Sequence, residues 1–163
     1  MTTNEPRNDS PDPHRARSDR RHNLAAVVGH EHFSSDTRYQ LMCDELEQAL
    51  NRHPERSSII CGLLDSLTRV YEYCAILGGD PNYRHLELVD EVRQSQEAVS
   101  AALLALTGPL TPFDRTLFAV HNATHLATEY LGRVHAGDKP QLHIGLAREY
   151  SRRAVEEILG QNG

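Results

Sequence analysis

The 163-residue chain contains no tryptophan, a single lysine and only three cysteines. The cysteines, Cys43, Cys61 and Cys74, form no C-x-x-C pair, so the sequence has neither an even-numbered disulfide framework nor a typical structural zinc site. The longest apolar run near the N-terminus, Leu24–Val28, is too short for a secretory signal or a membrane helix. We therefore predict a cytoplasmic protein with reduced thiols and no membrane partner.

Most sequence signatures of catalysis are also missing. The chain has no glycine-rich phosphate loop, no H-E-x-x-H zinc helix and no G-x-S-x-G nucleophile turn. The Glu-x-x-His pairs of di-iron helical bundles do not occur either. A net charge of −6 excludes a basic field over the whole chain of the kind that attracts nucleic acid. Sixteen arginines beside one lysine indicate the coding bias of a GC-rich bacterial genome.

The first 33 residues differ in composition from the rest. Residues 1–23 contain three prolines and no valine, leucine or isoleucine, so they cannot bury enough apolar surface to offset the entropy lost on folding. We predict a disordered N-terminal arm at residues 1–33 and a single domain at residues 34–163. Residues 14–22 carry four arginines. They are the only segment predicted to contact nucleic acid, although the acidic residues upstream favour a solvated tail.

Apolar residues recur every three or four positions from Ser34 onward, and no segment alternates as a strand would. Short glycine-containing and proline-containing breaks separate the periodic segments, which favours antiparallel neighbours. We therefore predict an all-α fold, an up-and-down antiparallel bundle of four long helices plus a fifth C-terminal helix. The helices are expected at about residues 36–51, 57–77, 83–106, 112–136 and 141–159.

The fourth helix begins with the sequence Thr111-Pro112-Phe113-Asp114. Thr111 suits the N-cap, and Asp114 complements the positive end of the helix dipole. Phe118 and Leu126 lie outside the main apolar stripe of this helix. Apolar side chains on an outer face often pack against a partner, so the sequence predicts a homodimer or another protein partner. In the fifth helix the predicted core residues are Leu142, Leu146, Tyr150, Ala154 and Ile158.

The fourth helix also contains the pair His121-x-x-x-His125. Residues four apart share one helix face, so two imidazoles could bind a divalent transition metal there, and Glu129 extends the row by one turn. A third ligand would have to come from another helix, with His85 or His143 as candidates. A structural role is the simpler interpretation, because ten histidines predict about 0.6 such pairs by chance.

The His121/His125 spacing resembles the DinB/YfiT-like metal-binding bundles, which are similar in length and carry an H-x-x-x-H helix late in the chain. This resemblance implies a metal site at His121 and His125. That family has a further histidine on an early helix, whereas residues 70–74 of this sequence read Val-Tyr-Glu-Tyr-Cys. The resemblance thus covers the histidine pair and the helical bundle.

A second motif, Arg115-x5-His121, resembles the R-x4-6-H motif of HEPN-type ribonucleases. The resemblance implies that Arg115 would hold a phosphate while His121 acts as the acid or base for attack by a 2′-hydroxyl group. Thr116 stands where that family usually has asparagine, aspartate or histidine. Four spacings of this kind occur in the chain, and about three are expected by chance.

Polar residues also interrupt the apolar faces of the third and fifth helices. His85 and Gln96 fall on the centre line of the third helix, and His143 lies within the stripe of the fifth. In an antiparallel bundle, His85, His135 and His143 can meet at one end. Residues of this kind are usually satisfied core groups or end caps, and if they line a pocket they could respond to pH near neutrality.

These observations lead to one prediction with two alternatives. We predict a non-enzymatic interaction or regulatory protein, self-associating, with no catalytic residue and no cofactor. The first alternative is a metal-binding bundle that uses His121 and His125, with Glu129 and His85 as further ligands. The second alternative is a helical ribonuclease that uses Arg115 and His121.

Overall fold

The computed structural model describes residues 37–137 and 139–160, which form five α-helices and one short 3-10 turn. The predicted all-α bundle with its C-terminal fifth helix is confirmed, and the described residues contain no strand. The arm predicted at residues 1–33 lies outside the described residues. The helices are α1 (Thr37–Arg52), α2 (Ser57–Gly79), α3 (Leu86–Leu104), α4 (Pro112–His135) and α5 (Pro140–Leu159), and the 3-10 turn (Pro54–Arg56) joins α1 to α2.

α2 is the central helix, since it packs against each of the other four. Its buried residues therefore cover more than one face and include polar side chains. The hydroxyls of Ser66 and Thr68 donate to backbone carbonyls one turn earlier, which removes the cost of burying them. Gly62 lets α3 approach closely, because a Cβ atom at this position would overlap the side chain of Val99.

α1 covers only one half of the bundle. One group of buried side chains fills the space between α1 and the adjoining halves of the longer helices, and a second group is enclosed by α2–α5 alone. We call the end formed by residues 52–57, 104–112 and 158–160 the lower end. The end formed by residues 79–86 and 135–140 is the upper end, which α1 does not reach.

The start of α4 agrees with the prediction. The Asp114 backbone N–H donates to Oγ1 of Thr111 at 3.0 Å, and the Thr111 N–H donates to the Asp114 carboxylate at 3.1 Å. This reciprocal capping box satisfies two backbone donors in and before the first turn of the helix. The structure thus fixes the first turn of α4 tightly.

The predicted start of the third helix was wrong. α3 begins at Leu86, and His85, which was expected within the apolar face of the helix, lies before it and is exposed. The backbone of His85 is not helical, with φ −141° and ψ 80°, and its N–H donates to the hydroxyl of Tyr73 at 2.8 Å. The helix therefore starts later than its apolar pattern indicates, and Leu86 is also exposed.

The predicted core face of α5 was partly wrong. Ala154 and Ile158 are buried as expected, whereas Leu142 is exposed and both Leu146 and Tyr150 are half-buried. α5 shares its most extensive surface with α4, and small side chains on the buried face allow this close packing. The largest apolar residues, on which the prediction was based, therefore lie on a flank of the buried face. The buried residues are His143, Ile144, Ala147, Ser151, Ala154, Val155 and Ile158.

No helix within residues 37–137 and 139–160 combines the length and the apolar character needed to cross a membrane. The three cysteines form no disulfide bond within the described residues, and Cys43 and Cys74 are buried.

Gly62→Ala is expected to destabilise the bundle, although alanine is the better helix former. The added methyl group would overlap Val99 in α3, and overpacking of this kind costs about 1–3 kcal/mol. Gly145 in α5 is the matched control, because a Cβ atom there meets no atom within 4 Å. Gly145→Ala should stabilise by about 0.5–1 kcal/mol. Urea denaturation measures both changes, and equal stabilisation by the two variants would contradict a close α2–α3 contact.

Candidate functional site

His121 and His125 lie one turn apart on α4, but their environments differ. His121 is 9% exposed, whereas His125 is exposed. The two ring centroids are 6.3 Å apart, and the ring planes differ by 26°. Nδ1 of His121 is buried and makes no hydrogen bond within the described part of the chain. Burial lowers the pKa of His121, and the neighbouring His125 lowers it further, so the neutral ring is favoured.

The further metal ligands considered from the sequence lie elsewhere. Glu129 faces Arg93 of α3, with Oε1 3.9 Å from Nε. His85 is at the upper end, and His121 lies about 21 Å below that end at 1.5 Å per residue. Within residues 37–137 and 139–160, no three histidine, cysteine, aspartate or glutamate side chains are grouped so that they could hold a metal ion.

Arg115 and His121 also occupy different environments. Arg115 is exposed in the second turn of α4, whereas His121 is buried. Six residues rotate the helix by about 600°, which leaves the two side chains roughly 120° apart around its axis. A phosphate held by Arg115 would therefore lie away from the imidazole of His121.

A hydrogen-bonded cluster at the upper end joins α2, α4 and the residue before α3. The Tyr73 hydroxyl accepts from the backbone N–H of His85 at 2.8 Å and lies 2.7 Å from Nε2 of His135. Because the Tyr73 hydroxyl already accepts from His85, it donates its own hydrogen to Nε2 of His135. Neutral His135 therefore carries its proton on Nδ1. Burial lowers the pKa of His135, and the charges of Arg84 and Arg93 lower it further.

The three histidines that the sequence placed at one end are held by different partners. Tyr73 brings His135 and the backbone of His85 together. His143 stacks on Tyr130, with ring centroids 5.9 Å apart. Sequence analysis did not single out Tyr73, although it is the residue that organises this end.

Aromatic rings also line the contact between α4 and α5. Tyr130 of α4 stacks on Tyr150 of α5, with ring centroids 5.6 Å apart and planes within 10°. Arg133 lies over the ring of Tyr130, and Arg153 lies over the ring of Tyr150. The faces of these rings are thus occupied by other side chains of the protein, and their role is to hold the two helices together.

An ion pair at the lower end connects the start of α2 to the start of α4. Nε of Arg56 donates to Oδ1 of Asp114 at 2.7 Å, and Nη2 donates to Oδ2 at 3.3 Å. Asp114 is buried and also closes the capping box with Thr111. The hydrogen bond from Arg56 outweighs the effect of burial and lowers the pKa of Asp114 to about 2. The sequence indicated the cap but gave no sign of Arg56.

An open cleft of about 680 Å³ lies next to this ion pair. His53 and Phe113 stack in its wall, with ring centroids 3.8 Å apart and planes within 9°. Arg52, Glu156 and Glu157 also line the cleft. Arg52 bonds to Glu45 at 3.1 Å, and Glu156 accepts from Arg38 at 2.6 Å. The cleft therefore combines an aromatic wall with charges of both signs, as a protein-binding recess often does.

The connection between α3 and α4 exposes apolar side chains at the same end. Leu104 is 78% exposed and Leu110 is 38% exposed. Gly108 between them has a φ of 81°, a conformation that glycine adopts without strain. Leu104 is the last residue of α3, and Leu110 lies two residues before the start of α4.

The outer flank of α4 is less apolar than the sequence predicted. Phe118 is half-buried and packs against the group of buried side chains that α1 covers. Leu126 is 39% exposed and has the exposed polar neighbours Asn122 and His125. Leu104 and Leu110 at the lower end are together more exposed than Leu126 on this flank. Leu86 and Leu142 are also exposed, at the upper end.

No known protein family, curated protein or solved structure matches this chain. The resemblances to DinB/YfiT-like bundles and HEPN-type ribonucleases rest on the motifs alone.

Asp114→Asn is expected to cost about 2 kcal/mol, because it weakens both the cap and the pair with Arg56. The pKa of Asp114 is lower in the folded chain, about 2, than its ordinary value of 3.8. Its contribution to stability is therefore present above pH 3.8 and is lost as the pH falls to about 2. Chemical denaturation between pH 3.8 and about pH 2 should show a loss of stability in the wild type, and this loss should be smaller in Asp114→Asn. Identical acid profiles would contradict this role.

His135 is expected to make the protein less stable below its ordinary pKa of 6.5. Because the folded-state pKa is lowered, the unfolded chain takes up the proton first, so stability is present above pH 6.5 and is lost as the pH falls below it. His135→Gln should reduce the drop in Tm between about pH 7.5 and about pH 5. The exposed Asn122→Gln is the control, because it changes no titratable group, and it should leave the drop unchanged. A steeper drop in His135→Gln would contradict this assignment.

Proposed function

We propose that this chain is a non-enzymatic interaction module that forms a two-fold dimer through the lower end of its bundle. The observation that carries the proposal is the exposure of Leu104 and Leu110 beside an open cleft at the same end. Fully burying a leucine side chain contributes about 1.5–3 kcal/mol, so two exposed leucines are a substantial source of binding energy.

A two-fold contact at the lower end would pair an exposed segment of each copy with a recess of the other. In such a contact the same surface on both copies must be complementary to itself. Most residues of the connection at 105–111 are exposed, and the cleft between the ends of α1, α4 and α5 is recessed. The leucines of each copy would enter the cleft of the other, next to the stacked rings of His53 and Phe113.

The lower end is also rigid before any partner binds. The bidentate pair between Arg56 and Asp114 and the capping box at Thr111 fix the helix that follows Leu110. A surface that is already ordered loses less entropy on association. The rim of the cleft contributes Glu157 together with Arg52 and Glu156, which pair with Glu45 and Arg38. Charges of both signs would therefore lie near a two-fold contact.

The proposed setting is the cytoplasm of a GC-rich bacterium. The three cysteines form no disulfide bond within the described residues, which suits a reducing compartment. The excess of arginine over lysine supports the bacterial source. A regulatory or scaffolding role follows from a self-associating bundle.

The double variant Leu104→Ser/Leu110→Ser is expected to weaken self-association by about 100-fold, since a loss of about 3 kcal/mol corresponds to two powers of ten in Kd. Sedimentation velocity at increasing protein concentration measures the effect. Leu86→Ser is the matched control, because Leu86 is 61% exposed but lies at the upper end, and it should leave the dimer intact. A wild-type chain that stays monomeric at about 100 μM would overturn the proposal, because the Kd of a specific dimer is usually well below this concentration.

A second measurement addresses the metal-binding and ribonuclease alternatives. Stoichiometric transition metal in protein purified without a histidine tag, lost in His121→Ala, would favour the metal-binding bundle. RNA cleavage lost in the same variant would favour the ribonuclease. Either outcome would contradict a non-enzymatic interaction module.

A further inference from the structure

A groove between α2 and α5 continues beyond the end of α1. α1 packs against both helices, but only over the lower half of the bundle. Above it the groove is open, with a volume of about 450 Å³. Small side chains form much of its surface, which includes Cys74, Ala75, Gly145 and Ser151. Burial raises the pKa of Cys74 to about 12, so this thiol carries no charge at neutral pH.

The chain enters α1 at this groove. Tyr39, in the first turn of α1, stacks on Tyr71 with ring centroids 5.3 Å apart, and Tyr71 is one of the residues that line the groove. The N-terminal end of α1, to which the preceding segment is joined, therefore lies at the open part of the groove. The segment before α1 is therefore the part of the chain that is closest along the sequence to the open groove.

We propose that the apolar run Leu24–Val28 of the same chain packs into the α2–α5 groove. It is the only run of consecutive apolar residues before α1. Its sequence, Leu-Ala-Ala-Val-Val, suits the small half of the lining, which consists of Cys74, Ala75, Gly145 and Ser151. The other half consists of Tyr71, Arg148, Glu149 and Arg152. The segment continues the path of α1 along α2 and α5 and covers the half of the groove that α1 leaves open.

The length of the connecting chain permits this contact. Eight residues separate Val28 from Thr37, and an extended chain spans about 3.3 Å per residue, or roughly 26 Å. The part of α2 from Tyr71 to Gly79 is about 12 Å long at 1.5 Å per residue. The run can therefore reach any point along the open groove without straining α1.

Charge at the edge of the groove also favours this occupant. The guanidinium of Arg148 lies over Gly78 of α2, and no carboxylate pairs with it among the described residues. The adjacent Glu149 already bonds to Arg152 and Arg153. The segment between the apolar run and α1 contains two carboxylates, at Glu31 and Asp36, which are complementary to Arg148.

Hydrogen exchange of the full-length chain tests this contact, with Gly145→Arg as the main variant. The arginine would fill the groove, and it cannot act by disrupting α5, because position 145 is open to solvent and arginine is a better helix former than glycine. Gly145→Ala is the matched control, since it changes helix propensity without filling the groove. Both variants keep the N-terminal segment unchanged.

The amides of residues 24–28 should exchange at least about tenfold more slowly than in an unstructured peptide. This protection should disappear in Gly145→Arg and in Leu24→Asp/Val27→Asp, and it should persist in Gly145→Ala. Exchange at the unstructured rate in the wild type, or protection that persists in Gly145→Arg, would overturn the proposal.

The experiment is repeated in the Leu104→Ser/Leu110→Ser background, which separates the groove from the proposed dimer contact. Protection should be the same in this background and independent of protein concentration, because the occupant belongs to the same chain. Protection that rises with concentration in this background would show that the run binds a second copy, and would overturn the assignment to the same chain.

Discussion

The burial of α2 on nearly all sides is the constraint on which the rest of the bundle depends. Every other helix packs against it, so its sequence must be small, apolar or internally hydrogen-bonded at most positions. Gly62 allows α3 to approach, and the hydroxyls of Ser66 and Thr68 bond within the helix. The Tyr39 hydroxyl donates to the buried carboxylate of Glu72, which ties α1 to α2 and sets where α1 covers the bundle.

Features that depend on neighbours along the chain could be predicted from the sequence, whereas features that depend on neighbouring helices could not. The capping box at Thr111 and Asp114 follows from residues three positions apart. The buried face of α5 does not, because close packing against α4 favours its small residues over Leu142 and Leu146. Tyr73 was missed for the same reason, since α2 is buried on more faces than one apolar stripe describes.

The candidate site shows the same division between local and distant information. Helical spacing correctly placed His121 and His125 one turn apart on α4, but it could not show that one ring is buried and the other exposed. Arg56 and Asp114 are separated by 58 residues, so no local pattern connects them. Their pairing depends on the 3-10 turn and on the position of α2 beside α4, which only the complete fold provides.

The two proposed contacts lie at different ends of the bundle, and different side-chain interactions hold each end together. At the lower end, charged hydrogen bonds hold the start of α4 rigid and leave Leu104 and Leu110 exposed. Towards the upper end, α1 is absent, the groove between α2 and α5 is open, and a tyrosine–histidine cluster closes the core. A dimer joined at the lower ends would keep the two grooves far apart.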